Sequence, residues 1–224
     1  MVTGDLDSLT FKKYRENLTK SLKNLYDIKS SVIDAMNHIP RHLFVPEDLK
    51  FSAYVDTPLS IGYNQTISAP HMVAIMCDLL DLKEGHKVLE IGAGSGYNAA
   101  IMSCLVGDKG YIYTIERISE LIEFAKENLK KLEITNVEVM IEDEPFKVSN
   151  QLQYDRIVVT CAATSIPKSL IEQLKIDGLL VIPIGEYMQQ LYLISKDATG
   201  KIHKEKKGSV SFVPLIGEYE SYDL

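Results

Sequence analysis

Val88, Leu89 and Ile91 run into Gly92-Ala93-Gly94-Ser95-Gly96-Tyr97, and Glu90 stands two residues ahead of the first glycine. An apolar strand that ends in a glycine-rich turn and continues as a helix suits one kind of chemistry. Glycine lets the chain turn tightly and lets a ligand come close to the backbone. The helix start adds free N–H groups and the positive end of a dipole. Glu116 lies 24 residues beyond Gly92 (116 − 92) at the end of the apolar run Tyr111–Ile115. A carboxylate there is a good acceptor for two adjacent hydroxyls. A dinucleotide fingerprint would space its third glycine one residue later. An NAD-binding domain would still use Glu116 in the same way, so the turn alone leaves the ligand open.

The elements that must position these groups alternate. Helical spacing of Leu18, Leu22, Leu25, Ile28, Val32 and Met36 predicts an amphipathic helix, broken near Tyr26-Asp27. Phe51 to Pro70 supports neither a long helix nor a regular strand. Its Tyr54, Ile61, Tyr63 and Ile67 argue against disorder, and long ordered loops are commonly functional. Val73 to Leu80 reads as a helix, Lys87 to Ile91 as a strand, and Ala99 to Met102 as part of the helix after the glycine turn. Tyr111 to Ile115, Val137 to Ile141 and Arg156 to Thr160 read as strands, with a helix through Leu121 and Leu132. Pro167 suits the first turn of a helix running to Leu174. Leu179 to Ile184, Gln190 to Ser195 and Ser209 to Leu215 close the chain as strands, leaving Lys201 to Lys207 as a solvated hairpin tip. The fold class that follows is α/β: a doubly wound, mostly parallel, seven-stranded Rossmann-like sheet. It carries an antiparallel C-terminal hairpin and an N-terminal helical and irregular extension. The expected division is residues 1–78 as that extension and 79–224 as the sheet domain, packed as one unit.

Composition narrows the partners. The 224 residues are 46% hydrophobic and 25% charged, with a formal charge of −7, the balance of a soluble globular protein. No apolar run reaches the roughly 20 residues of a membrane-spanning helix, so no membrane partner is expected. Met1 to Tyr14 has no apolar core of a secretory signal. Cys77, Cys104 and Cys161 lack the spacing of a disulfide framework or a zinc site, and the expected compartment is a reducing cytoplasm. His38, His42, His86 and His203 are scattered and suggest no metal. An acidic chain is not expected to bind nucleic acid.

The glycine turn with Glu90 and Glu116 resembles the first two motifs of class I S-adenosylmethionine-dependent methyltransferases. The stretch from Tyr54 to Met72, above all Gln65-Thr66-Ile67-Ser68-Ala69-Pro70-His71, resembles the segment ahead of that motif in protein-L-isoaspartate O-methyltransferases. Pro40 to Pro46, Tyr154 to Thr160, Leu179 to Gly185 and Phe212 to Leu215 with Gly217 extend the likeness over about Ile33 to Gly217. The resemblance implies S-adenosyl-L-methionine as cofactor and isoaspartyl-containing proteins and peptides as substrate. It implies methyl transfer to the L-isoaspartyl α-carboxylate, the first step of protein repair. It also implies roles for residues. Ser68 resembles the active-site serine and would orient the substrate carboxylate as a hydroxyl donor. Its other reading is a helix N-cap ahead of Pro70. Gln65, Thr66, Ile67, Glu90, Gly92, Ala93, Gly94, Ser95, Gly96, Glu116, Arg117, Asp143, Glu144 and Thr160 would contact the cofactor, with Glu90 near its methionine part. His71 and Met72 read as packing residues, and Cys161 as a small buried one near the expected pocket.

One departure is plain. The family usually has Gly-Asp-Gly after the third strand of the sheet, whereas this chain has Glu142-Asp143-Glu144. Asp143 keeps its place, and the two extra carboxylates stand near a cationic cofactor. A methyltransferase with another acceptor, or a non-catalytic cofactor-binding relative, remains the alternative at this stage.

Overall fold

The computed structural model describes residues 8–141 and 153–222. Two helices open it, α1 (Leu9–Tyr26) and α2 (Ser30–His38). The expected break falls at Asp27, whose left-handed φ of 53° ends α1. Two 3₁₀ turns, Arg41–Phe44 and Glu47–Ser52, follow Pro40 and Pro46. The stretch expected to be irregular then folds into a small hairpin, β1 (Leu59–Gly62) and β2 (Gln65–Ile67). Tyr63 and Asn64 make its two-residue turn, both at positive φ, the geometry that matches strand twist.

Helix α3 (Pro70–Leu79) leads to β3 (Lys87–Ile91), α4 (Tyr97–Val106), β4 (Tyr111–Glu116), α5 (Ser119–Lys131) and β5 (Val137–Ile141). The chain resumes with β6 (Tyr154–Val159), α6 (Lys168–Gln173), β7 (Leu174–Ile184), β8 (Gln189–Lys196) and β9 (Ile202–Val210). Strands β3 to β9 form one sheet in the order β5-β4-β3-β6-β7-β8-β9. Pairing is parallel through β7 and antiparallel for β8 and β9. Central strands β3 and β6 are almost wholly buried, as strands covered on both faces must be.

Strand alternation separates two apolar layers. Val88, Ile112, Val158 and Val181 join helices α2 to α5 on one face. Leu89, Ile91, Ile157, Val159 and Leu180 join Leu170 and Ile171 of α6 on the other, with Val213, Leu215, Tyr219 and Tyr222 packed against them. Along α5, Leu121, Ile122, Ala125, Asn128 and Leu129 are buried at helical spacing.

Two boundaries differ from expectation. The last strand is Ile202–Val210, not Ser209 to Leu215, so most of the lysine-rich run lies on the sheet's edge strand. The hairpin tip is Asp197–Gly200, closed by Asp197 Oδ1, which accepts from the amides of Thr199 and Lys201. Lysines on an exposed edge oppose unwanted strand pairing. Pro167 precedes α6 as its N-cap residue and is not in its first turn.

The strand order sets the site. The chain moves outward from β3 to β4 and β5, then returns to the other side of β3 for β6. Ligands of open α/β sheets bind at the carboxyl ends of the strands where the order reverses in this way.

Candidate active site

At the carboxyl end of β3 the glycine turn crosses between β4 and β6. The amides of Gly92 and Ala93 donate to the Ile115 carbonyl at 2.9 and 3.1 Å. Gly92 has φ 97°, and a Cβ there would stand 2.4 Å from Thr160 Oγ1. Only glycine fits that approach. Thr160, just past β6, donates its hydroxyl to the carbonyls of Ile91 and Gly92 at 3.0 and 2.7 Å. Gly96, at φ 84°, is the N-cap residue of α4. Buried Asn128 of α5 donates to the Ser95 carbonyl and fixes the turn from behind.

Glu116 closes β4. Its Oε2 accepts from the Gly94 amide at 3.0 Å, and its Oε1 accepts from the amides of Arg117 and Ile118 at 2.9 and 3.1 Å. A carboxylate has about four acceptor positions, so capacity remains for a ligand hydroxyl. Arg117 beside it is exposed.

These groups border an open cleft of about 870 Å³, the space at its mouth included. Gln65, Thr66, Ile67 and Ser68 form one wall, and Gly92 to Ser95 line the cleft with Glu116 on the β4 flank of β3 and Thr160 on its β6 flank. The structure therefore brings most of the sequence-named residues together. Sequence reasoning did not single out Tyr97 and Asn98 from the first turn of α4, nor Val213 to Ile216, as site residues. Tyr97 and Asn98 follow Gly96 directly, which is the signal that could have found them.

Ser68 is half-buried in the wall, one residue before the α3 N-cap Ala69. It is not the cap. Asp56 serves that end of the helix: its Oδ1 accepts from the His71 amide at 2.9 Å and pairs with His71 Nδ1 at 2.9 Å. His71 is thus a paired, partly exposed side chain and not a simple packing residue. The Ser68 carbonyl accepts from Arg41 Nη2 at 2.8 Å, and Arg41 Nε donates to the Ala53 carbonyl at 2.8 Å. Arg41 is fully buried, its guanidinium 5.0 Å from the centre of the Tyr97 ring. Burial pulls its pKa below the ordinary arginine value, opposed by the Tyr97 and Tyr54 phenols and by Asp56.

Glu90 departs from its expected place. It is fully buried and does not line the cleft. Pleat alternation turns it, with Val88, toward α4, while Ile91 reaches the cleft. Glu90 Oε1 accepts from Asn98 Nδ2 at 2.7 Å, and Oε2 accepts from Thr114 Oγ1 at 2.6 Å. Burial pushes its pKa up to about 7, against those two hydrogen bonds and with help from Glu116. Asn98 stands between Glu90 and the cleft. Gly96 likewise shapes the turn without lining the cleft. Asp143 and Glu144, with the rest of 142–152, lie outside the described residues. Cys161 lines the cleft as a buried thiol. Among the described residues no cluster of three or more His, Cys, Asp or Glu could hold a metal, and no helix is long and apolar enough to cross a membrane.

Comparison with known proteins gives a consistent picture. The family model described as protein-L-isoaspartate(D-aspartate) O-methyltransferase matches residues 13–220. A protein-L-isoaspartate O-methyltransferase of Methanosarcina mazei is 55% identical over 93% of this chain and 85% of its own length. Protein-L-isoaspartate O-methyltransferase 2 of Archaeoglobus fulgidus is 52% identical over 94% of this chain and 96% of its own. Among solved structures, a protein-L-isoaspartate O-methyltransferase superposes with a TM-score of 0.83 at 32% identity, over 91% of this chain and 66% of that longer one. The Plasmodium falciparum beta-aspartate methyltransferase (PCMT), in complex with S-adenosyl-L-homocysteine, superposes with a TM-score of 0.78 at 30% identity, over 90% and 98% of the two chains.

Proposed function

Since this chain belongs to the protein-L-isoaspartate(D-aspartate) O-methyltransferase family, we propose that it methylates the α-carboxylate of L-isoaspartyl residues in damaged proteins and peptides, with S-adenosyl-L-methionine as donor. The observation that carries this reading is one cleft lined by chemically different groups: a backbone-held carboxylate, Glu116, a serine, Ser68, and the glycine turn from Gly92 to Ser95. The donor fits that cleft. Its ribose hydroxyls need an acceptor, which Glu116 offers beside the glycine turn that lines the cleft.

When bound, S-adenosyl-L-methionine supplies an electrophilic methyl group on a sulfonium and leaves as the neutral thioether S-adenosyl-L-homocysteine. The protein's own task is mild in acid–base terms. An α-carboxyl has a pKa near 3.5 and is already ionised at neutral pH, so no general base is required. Ser68 has only to hold that carboxylate in line with the methyl group. Such positioning supplies a large part of a rate enhancement by avoiding the entropy cost of the encounter. The apolar side chains of Ile67, Val73, Met76, Ile115 and Val213 line part of the cleft, and water displaced from them by the bound donor and acceptor would strengthen attraction between carboxylate and sulfonium. Gln65 to Ile67, Gly92 to Ser95, Arg117 and Thr160 are assigned to the cofactor, and Glu90 acts on it only through Asn98. The expected division assigns the segment before residue 79, apart from Gln65 to Ile67, to the substrate and the sheet domain, 79–224, to the cofactor. The compartment is the cytoplasm, where repair of aged soluble proteins would take place.

The deciding experiment follows a labelled methyl group. The purified protein is expected to transfer it to an L-isoaspartyl peptide and not to the matching L-aspartyl peptide. Ser68→Ala is expected to cost turnover roughly tenfold to a hundredfold, the worth of a hydrogen bond to a charged group, with cofactor affinity unchanged. Tight cofactor binding without transfer would sink the enzyme reading. Equal transfer to both peptides would sink the isoaspartyl specificity.

A further inference from the structure

Arg41 stands outside the cleft, yet its guanidinium holds the cleft's substrate-facing wall. Its two carbonyl partners, Ala53 and Ser68, bracket a stretch that contains the β1–β2 hairpin, Gln65, Thr66 and Ile67. One planar fork therefore closes that stretch at both ends, a task that needs two donors at fixed separation. The same guanidinium lies over the ring of Tyr97, which opens α4 directly after the glycine turn. Tyr97 and Ser68 both line the cleft. The clasp thus ties the wall expected to meet substrate to the element expected to meet cofactor.

The charge is a second, separate observation. Arg41 is fully buried, and no carboxylate among the described residues lies within salt-bridge distance of it. Asp56 is the acid whose charge it feels, and Asp56 is already paired with His71. Carbonyls and an aromatic ring solvate a guanidinium without neutralising it. Burying a cation that way is costly, and a nearby anion would offset the cost.

We propose that Arg41 is a positioning residue for methyl transfer, clasping Ala53 and Ser68 so that the Ser68 hydroxyl meets the substrate carboxylate, and lending positive charge from behind the wall to that anionic acceptor. This rests on the isoaspartyl reading above. Arg41→Lys keeps the charge and removes the fork; Arg41→Met keeps much of the bulk and removes both. Turnover of an isoaspartyl peptide, its KM, the affinity for S-adenosyl-L-homocysteine and the melting temperature are measured for each and for the parent.

Arg41→Lys is expected to lower kcat/KM on the order of a hundredfold, as small misplacements do, with homocysteine-product affinity within about threefold of the parent. Arg41→Met is expected to lose more and to raise the peptide KM as well, because the charge is gone. Should Arg41→Met not fold, the lysine variant alone decides. Variants with parental turnover overturn the role of Arg41. So does a fall in cofactor affinity that accounts for the whole loss of turnover, which would make Arg41 a structural residue only. A parent without isoaspartyl turnover overturns the functional reading and this proposal with it, whereas an active parent with unimpaired variants overturns this proposal alone.

Discussion

The amide of Gly94 donates to Glu116 Oε2 at 3.0 Å. This bond joins the glycine turn after β3 to the end of β4, two elements that parallel pairing already holds side by side. It also means that Glu116 has a structural duty besides any ligand. Its carboxylate accepts three amides in all, which fixes the orientation of both oxygens before a ligand arrives.

Glu116→Gln tests that double duty. Glutamine has one acceptor oxygen and one NH₂ where the carboxylate has two acceptors. Whichever way the amide turns, an NH₂ group meets a backbone N–H that now has an acceptor. We expect S-adenosyl-L-homocysteine affinity to fall roughly tenfold to a hundredfold, since a lost hydrogen bond to a charged group is worth about 1.5–3 kcal/mol. Calorimetric titration measures it. Affinity equal to the parent's would show that Glu116 does not meet the ligand.

Gly92 tests the close approach. An alanine there would place its Cβ 2.4 Å from Thr160 Oγ1 at φ 97°. Two penalties add, a steric one and a backbone one on the order of 1–3 kcal/mol. Gly92→Ala is expected to melt at lower temperature and to bind cofactor weakly, because the turn lines the cleft. Adding Thr160→Ala removes the clashing hydroxyl but not the strained φ. Thr160→Ala alone loses the hydroxyl's bonds to Ile91 and Gly92, so it is the reference: in its background Gly92→Ala should cost less stability than in the parent, and still cost some. No cost there would show that the backbone conformation at Gly92 is unstrained for alanine.

Legibility in the sequence followed physical rank. The glycine turn, the parallel strands and Glu116 were readable because each depends on local pattern: apolar runs, special φ values and a helix start. Strand β9 was not. Its exposed Lys204, Glu205, Lys206 and Lys207 have the composition of a solvated loop, and only pairing with β8 makes them a strand. Phe212 to Leu215 was misplaced for the converse reason. It looks like a strand, but Pro214 forms only an isolated bridge with Ala162, and Val213 to Ile216 cross to the cleft. The clasp at Arg41 was invisible because its partners are backbone carbonyls, and any residue type supplies those. Glu90 shows how one residue of strand register decides a role. The motif places it beside the cofactor turn, yet the pleat aims it at α4, where Asn98 and Thr114 take both oxygens.

Glu90 also carries a pH signature. Its ordinary value is near 4.5, and burial raises it to about 7 in the folded protein. The folded state therefore holds a proton between those values that the unfolded state has already released. Stability from this group is complete below about pH 4.5, falls as pH rises toward 7, and is flat above. Integrated over that window the effect is at most roughly 3 kcal/mol. Glu90→Gln stays neutral throughout. Its carbonyl accepts from Asn98, and its NH₂ donates to Thr114 once that hydroxyl turns. Unfolding in urea, without cofactor, should find parent and variant about equally stable at pH 4.5 and the variant clearly more stable at pH 8. Other titrating groups cancel in the comparison because both proteins share them. A stability difference that does not change between the two pH values would mean that Glu90 titrates at its ordinary value and that its burial is compensated by contacts other than these two hydrogen bonds.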